Sequence, residues 1–166
     1  MATAQKDPIT ITKVLTPTDL QSTTTLFKAY AHSLGIDLTF QDFATEMAQM
    51  PGKYAPPHGT LLLAKDTNSK PIGCAGLRRF PSKPGHCEMK RLYVHPDGRG
   101  LGVGRKLAEA VVKEAKGLGY EAVLLDTLAS MESAQKLYRS LGFVEVEAYY
   151  ESPIAKTTFL RLDLKT

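Results

Sequence analysis

A chain of 166 residues, 43% hydrophobic and 23% charged, holds enough apolar material for one substantial core and too little length for two. No apolar run approaches the roughly 18 residues that a membrane-spanning helix needs, which argues against a membrane protein. The formal charge of +4 fits an anionic partner without choosing one, and no lysine/arginine block interleaved with aromatics points to nucleic acid.

Residues 1–8 carry no apolar stretch of the kind a secretory signal requires, so the expected location is cytoplasmic. Ile9 to Val14 alternates apolar and polar residues as a first strand does. Pro17 and Asp19 then open a helix carrying Leu20, Leu26, Phe27 and Tyr30. Gln41 to Met50 is a second helix, with Phe43 and Met47 on one face, broken by Met50-Pro51-Gly52. The segment from Pro51 to Pro57 reads as an ordered lid. Thr60 to Ala64 and Pro71 to Leu77 are strands around a Thr67-Asn68-Ser69 turn, and Cys87 to Val94 is a longer strand after the turn from Pro81 to Gly85. Alternation places Glu88, Lys90 and Leu92 on one face of that strand and Met89, Arg91 and Tyr93 on the other. Cys74 and Cys87 fall within strands, have no metal-ligand spacing and read as buried free thiols of a reducing compartment.

A glycine turn follows Val94, then a helix to about Leu118 that puts Val103, Leu107, Ala110, Val111 and Leu118 on one face, with Gly119 as its cap. Ala122 to Asp126 is a strand, and Glu132 to Leu141 is a short helix ended by Gly142. Phe143 to Tyr149 and Thr157 to Leu164 are the closing strands. Antiparallel hairpins followed by a strand–helix–strand crossover predict an α+β fold in a single domain over residues 1–166, a mixed sheet flanked by helices.

The chemistry concentrates in Leu92-Tyr93-Val94-His95-Pro96-Asp97-Gly98-Arg99-Gly100-Leu101-Gly102-Val103-Gly104-Arg105. An apolar strand runs through glycines directly into a helix, so close backbone approach and unpaired helix N–H groups coincide. Such a turn suits a pyrophosphate, although the glycines alone are equally compatible with a plain turn. The phosphate-loop pattern G-x-x-x-x-G-K-[ST] is absent. The dinucleotide pattern G-x-G-x-x-G fails because Arg105 stands where the third glycine belongs, although Asp126 ends the next strand about where a ribose-binding carboxylate would.

Arg99-Gly100-Leu101-Gly102-Val103-Gly104 resembles the [QR]-x-x-G-x-[GA] signature of the GNAT superfamily of N-acetyltransferases. Ala134, Tyr138, Gly142 and Phe143 match that family's A-x-x-x-Y-x-x-x-G-F element downstream. The resemblance implies a mostly antiparallel mixed sheet with a V-shaped splay, flanked by about four helices. It implies acetyl-CoA as co-substrate and no metal. Backbone groups of Leu92, Tyr93 and Val94 would pair with the pantetheine arm, and amides from Arg99 through Gly100, Leu101, Gly102, Val103 and Gly104 to Arg105 would hold the pyrophosphate. It places the Tyr138 hydroxyl beside the CoA sulfur as the acid for the departing thiolate, the alternative being a tyrosine that packs its helix against the sheet. Glu88 is the matching candidate base, alternatively a strand carboxylate paired with Lys90 or a neighbouring arginine. Met131 stands where many members have an asparagine, so that polar contact must come from Ser130 or Ser133 or be missing.

The first two helices, the loop from Met50 to Gly59 and the strands near Tyr149-Tyr150 would form the acceptor side. His58 lies in that loop, His86 starts a strand, and His95 sits at a turn. Arg78 and Arg79 are candidates to recognise a carboxylate on the acceptor. The expected reaction is acetyl transfer to a small-molecule primary amine by a monomer or homodimer that engages neither nucleic acid nor membrane. The alternatives are a non-catalytic acyl-CoA sensor on the same fold and a nucleotide-binding oxidoreductase.

Overall fold

The computed structural model describes residues 9–35 and 42–164. In chain order the elements are β1 (Thr10–Lys13), α1 (Pro17–Leu34), α2 (Phe43–Ala48), a 3₁₀ turn over Gly52–Tyr54, β2 (Thr60–Lys65), β3 (Pro71–Arg79) and β4 (His86–Val94). A second 3₁₀ turn over Pro96–Gly98 follows, then α3 (Val103–Gly117), β5 (Ala122–Thr127), α4 (Glu132–Ser140), β6 (Val144–Val146) and β7 (Thr158–Asp163). The strands form one sheet in the order β1-β2-β3-β4-β5-β7-β6, antiparallel throughout except for the β4–β5 pair. This is the mixed, mostly antiparallel α+β sheet that the sequence predicts.

Period-two alternation feeds two cores. Leu62, Ala64, Ile72 and Leu77 face α3 and pack on its Val103, Leu107, Val111 and Ala115. Leu61, Leu63 and Cys74 face the other way, onto Leu26 and Phe27 of α1 and onto Tyr54. Cys74 and Cys87 are both buried free thiols, and burial pushes the Cys87 thiol up to about 12. Helix α1 starts where Thr16 accepts a hydrogen bond from the Asp19 N–H at 3.1 Å and ends at Gly35 in the left-handed region.

Four details depart from the sequence reading. Helix α2 is only Phe43–Ala48, and Gln41 lies outside the described residues. Leu118 does not share the buried face of α3 and is 40% exposed. The helix stops at Gly117, and Gly119, at φ 83°, turns the chain so that the Tyr120 N–H reaches the Ala115 carbonyl. The strand expected over Phe143 to Tyr149 is paired only over Val144–Val146. Tyr149 and Tyr150 leave the sheet because their rings cluster on Phe159 and their hydroxyls reach buried carboxylates.

The fourth departure lies in β4. Cys74 pairs with Tyr93 and Gly76 with Lys90, so Ala75 opposes both Arg91 and Leu92. This is a β-bulge, with Arg91 at φ 59°. One inserted residue reverses the alternation beyond it. Glu88, Lys90, Arg91 and Tyr93 therefore serve the α1–α2 side, while Met89, Leu92 and Val94 pack toward α3. Arg91, Leu92 and Tyr93 thus lie on the faces opposite to those that simple alternation from Glu88 assigns them.

The Pro51–Pro57 segment is pinned by Tyr54, which is 1% exposed and lies over Gly76. A Cβ at residue 76 would meet Tyr54 Cε1 at 2.6 Å and Cδ1 at 2.8 Å. The Tyr54 hydroxyl donates to Glu46 and its ring packs edge-on against Phe27, so the ring has nowhere to retreat. Gly76→Ala is expected to destabilise the protein by roughly 1–3 kcal/mol, the usual range for overpacking. Urea unfolding should show a lower midpoint at unchanged m.

Candidate active site

The parallel pair β4–β5 is hydrogen-bonded only at His86–Ala122, Cys87–Val123 and Glu88–Leu124. Strand β4 continues to Val94 and β5 to Thr127, so the two part beyond Glu88 and Leu124. Peptide groups of β4 that face the gap are thereby left without a strand partner, and the backbone there can receive an extended ligand as an added strand. Leu92, Tyr93 and Val94 lie along this open edge. The bulge at Arg91 and Leu92 further breaks the register just above the point of parting.

The open edge leads to the start of α3. The Lys106 N–H is bonded to the Gly102 carbonyl, which leaves the amides of Val103, Gly104 and Arg105 ahead of the first intrahelical bond, and no side chain caps them. Gly100 and Gly102 have φ of 81° and 74°, and a Cβ at either would meet nothing within 4 Å. Their conformation demands glycine and the space over them is open, a cradle in which phosphate oxygens can approach backbone N–H groups. A Cβ on Gly104 would face Leu137 and Val94 at 3.6 and 3.7 Å, in the gap between α3 and α4. Arg99 and Leu101 are exposed beside the cradle. Arg105 is tied to Ser140 at 2.6 Å and Glu109 at 3.5 Å, so its side chain braces α3 against α4.

On the α1–α2 side, the mouth of the V is a hollow whose lining includes Tyr30, Met89, Lys90, Asp126, Thr127 and Tyr150. A neighbouring open cleft is lined by Arg78, Phe80, Glu88, Lys90, Tyr150, Glu151 and Pro153. Lys90 and Tyr150 line both.

These hollows are floored by a buried ionic network. Glu88 is 3% exposed; its Oε1 accepts from Nε and Nη2 of Arg78, both at 3.2 Å, and its Oε2 lies 3.5 Å from the Tyr149 hydroxyl. Its partner is therefore Arg78, one of the pairings the sequence left open. Glu46 of α2 accepts from Arg91 at 3.3 and 3.4 Å and from the Tyr54 hydroxyl at 3.2 Å, and pairs with Arg78 at 3.7 Å. Arg91 also lies over the Phe43 ring at 5.2 Å, so one carboxylate and one cation hold the short α2 to the sheet. Arg78 is thus already engaged by two carboxylates, whereas Arg79 lies at the exposed end of β3.

Tyr138 is 6% exposed on α4, packed against Phe143, and among the described residues its hydroxyl has no hydrogen-bond partner. Burial, then the charges associated with Tyr30 and Asp126, hold its phenol above the ordinary tyrosine range. Tyr30 lines the cavity beside it, its phenol pushed up to about 12 by burial. Both therefore remain protonated donors at neutral pH.

Met131 precedes α4 without capping it and receives the Thr127 hydroxyl on its sulfur at 3.6 Å; Ser130 and Ser133 are exposed. The histidines fall elsewhere. His58 is exposed, and its carbonyl accepts from Tyr120. Arg161 donates to His86 Nε2 at 2.7 Å, which leaves His86 Nδ1 as the donor to the Pro84 carbonyl at 3.0 Å. His95 Nδ1 accepts from the Asp97 N–H at 3.1 Å.

Sequence reasoning missed Glu46, Tyr30 and Asp126 as members of this site. Asp126 was visible as a charge ending an otherwise apolar strand. Glu46 and Tyr30 look like ordinary helix residues, and only folding brings them to β4.

The sequence profile of the Acetyltransferase (GNAT) family matches residues 24–143. An uncharacterised N-acetyltransferase of Schizosaccharomyces pombe is 41% identical over 156 residues, covering 94% of this chain and 95% of its own. An uncharacterised N-acetyltransferase of Dictyostelium discoideum is 29% identical and covers 84% of this chain and 92% of its own. Among solved structures, a GNAT-family acetyltransferase from Staphylococcus aureus superposes with a TM-score of 0.76 at 21% identity, covering 95% of this chain and 99% of its own. A Salmonella typhimurium protein determined with its cofactor acetyl-CoA gives 0.68 at 24% identity, covering 95% of each chain. With a family match over most of its length and a close relative spanning nearly all of it, the chain belongs to the GNAT family of acetyltransferases.

Proposed function

We propose that this acetyltransferase moves the acetyl group of acetyl-CoA to the primary amine of a small molecule, acting in the cytoplasm as a single domain over residues 1–166. The observation that carries the reading is the meeting, at the point where β4 and β5 part, of an open strand edge, an uncapped helix start and a polar cleft. The open edge suits the amide-bearing pantetheine arm along Leu92, Tyr93 and Val94. The amides around Gly100 to Arg105 suit the pyrophosphate. The cleft reaches the buried side chains of Glu88 and Lys90, which fits an acceptor small enough to bring its amine to them. Buried thiols at Cys74 and Cys87 accord with a reducing cytoplasm.

In this reading the acceptor arrives as an ammonium ion and must lose a proton before its lone pair can attack. Glu88, at the floor of the cleft with Tyr149 beside it, takes that proton directly or through water. Tyr138 gives its proton to the sulfur as the C–S bond breaks. An acyl-CoA sensor on the same fold would bind without turnover. The oxidoreductase alternative finds no support in a sheet whose single parallel pair cannot form a doubly wound crevice.

Acetyl-CoA and CoA should raise the melting temperature while NAD should not; at a ligand concentration of one hundred times Kd the gain is about 2.7 kcal/mol. Stabilisation by NAD alone would overturn the assignment of the donor.

Tyr138→Phe keeps the ring and its packing and loses the proton donor, so kcat should fall about 100-fold or more at nearly unchanged KM for acetyl-CoA. Because burial raises the wild-type phenol, its loss of the proton should not limit kcat anywhere in the ordinary tyrosine range. An unchanged kcat would make Tyr138 a packing residue.

Glu88→Gln retains a hydrogen-bonding side chain that cannot take the acceptor's proton. The base must be ionised to act, so wild-type kcat/KM should rise with pH on the acid side, and this limb should flatten in the variant. The same limb in both proteins would remove Glu88 from the mechanism.

A further inference from the structure

The cavity in the V and the acceptor cleft share two lining residues, Lys90 and Tyr150, and only Lys90 carries a charge. Lys90 lies just beyond Glu88, the last residue of β4 still paired with β5, and is 6% exposed. Its Nζ is 3.9 Å from Asp126 Oδ2, the oxygen that also accepts from the Tyr150 hydroxyl at 2.7 Å. A buried lysine is costly unless its charge is used.

We propose that Lys90 is a further catalytic residue: the buried cation that stabilises the negative oxygen formed when the acceptor adds to the thioester. The inference rests on the donor and acceptor assignment above. As the amine lone pair forms the C–N bond, the carbonyl π pair moves onto oxygen. When that pair returns, the C–S bond breaks and the sulfur takes the Tyr138 proton. The nitrogen, cationic since the addition, gives its extra proton to the tyrosinate directly or through water, leaving amide, CoA thiol and neutral Tyr138. Lys90 keeps all three of its protons throughout and contributes charge alone.

Charge bookkeeping at the apex explains why a cation is needed there. Glu88 and Asp126 already place two carboxylates around the point of parting, and the guanidinium of Arg78 is turned into Glu88 and Glu46. The reacting oxygen adds a further negative charge next to Asp126. In a water-poor site, Lys90 is the cation positioned on both the cofactor side and the acceptor side to offset it.

Among the described groups, those that face Lys90 include Asp126 on β5, Glu88 and Arg91 on β4, Arg78 on β3, Tyr30 on α1 and Tyr150 in the β6–β7 connection. Burial, the largest effect, lowers the pKa of its ammonium, and it outweighs the opposing pull of Asp126 and Glu88. The charge is present at low pH and lost as pH rises, at a lower pH than for an ordinary lysine. Wild-type kcat should therefore decline on the alkaline side before that of an enzyme dependent on an exposed lysine. Tyr138, held high by burial, titrates later and does not produce this limb.

The test compares wild type, Lys90→Met and Lys90→Arg, each checked for melting temperature and for acetyl-CoA binding by calorimetry. Lys90→Met should lose about 100-fold or more in kcat while binding acetyl-CoA nearly as wild type does. Lys90→Arg, which stays charged, should recover part of kcat and move the alkaline limb upward. Wild-type kcat in a folded Lys90→Met overturns the proposal, and so does an alkaline limb that stays in place in Lys90→Arg. A wild type that releases no CoA from acetyl-CoA with any amine overturns the donor assignment and this inference together.

Discussion

The structure turns on the parting of β4 and β5. Two parallel strands joined by the α3 crossover hold together for three residue pairs and then diverge, and the two hollows and the glycine turn before α3 are arranged around that divergence. An unpaired strand edge in a folded core would ordinarily be a defect, because its peptide groups have lost water without gaining a partner. Here it opens on a cavity and points toward the uncapped start of α3, so a ligand with amides along its length and phosphates at its end satisfies both. The bulge at Arg91 and Leu92 belongs to the same design. By shifting the alternation one place, it brings Arg91 and Tyr93 to the side of the sheet that Glu88 and Lys90 already occupy.

The second constraint is the ionic network beneath the cleft lined by Arg78, Glu88 and Tyr150. Glu46, Arg78, Glu88 and Arg91 are largely buried, and such groups are tolerated because they satisfy one another and the hydroxyls of Tyr54 and Tyr149. One consequence is mechanical. Helix α2 has no buried residues of its own and is held to the sheet by Glu46 and by the Arg91–Phe43 contact. The docking of α2 thus combines these charged contacts with the packing of Met47 on the core. The other consequence is chemical: carboxylates, phenols and a lysine meet in a water-poor volume, where small displacements of charge count for much.

Aromatic residues complete the enclosure. Tyr149 and Tyr150 abandon the edge of the sheet to stack on Phe159, and their hydroxyls cap Glu88 and Asp126 from above. Tyr30 and Tyr93 meet edge-on at 6.1 Å on the opposite wall. The walls of the two hollows are therefore built from segments far apart in the chain, joined through side chains that start on α1, β3, β4, β5 and the β6–β7 connection.

What the sequence determined by itself is the part governed by local rules. Alternation marked β1, apolar runs between turns marked β2 to β5, the run from Arg99 to Gly104 marked the strand-to-helix turn, and Gly119 and Gly142 marked helix ends, because backbone geometry depends on a residue and its immediate neighbours. The family, too, was legible, since its two motifs are short and contiguous. Tertiary structure alone decided the rest. Nothing local announces that β4 carries a bulge, that Leu92 and Arg91 exchange faces, or that Tyr149 and Tyr150 leave their strand. These follow from which partner strand, carboxylate or ring each residue meets. Glu46, Tyr30, Asp126 and Lys90 acquire their meaning in the same way: a charge on a helix or strand becomes part of a site only when folding removes it from water and sets another charge beside it.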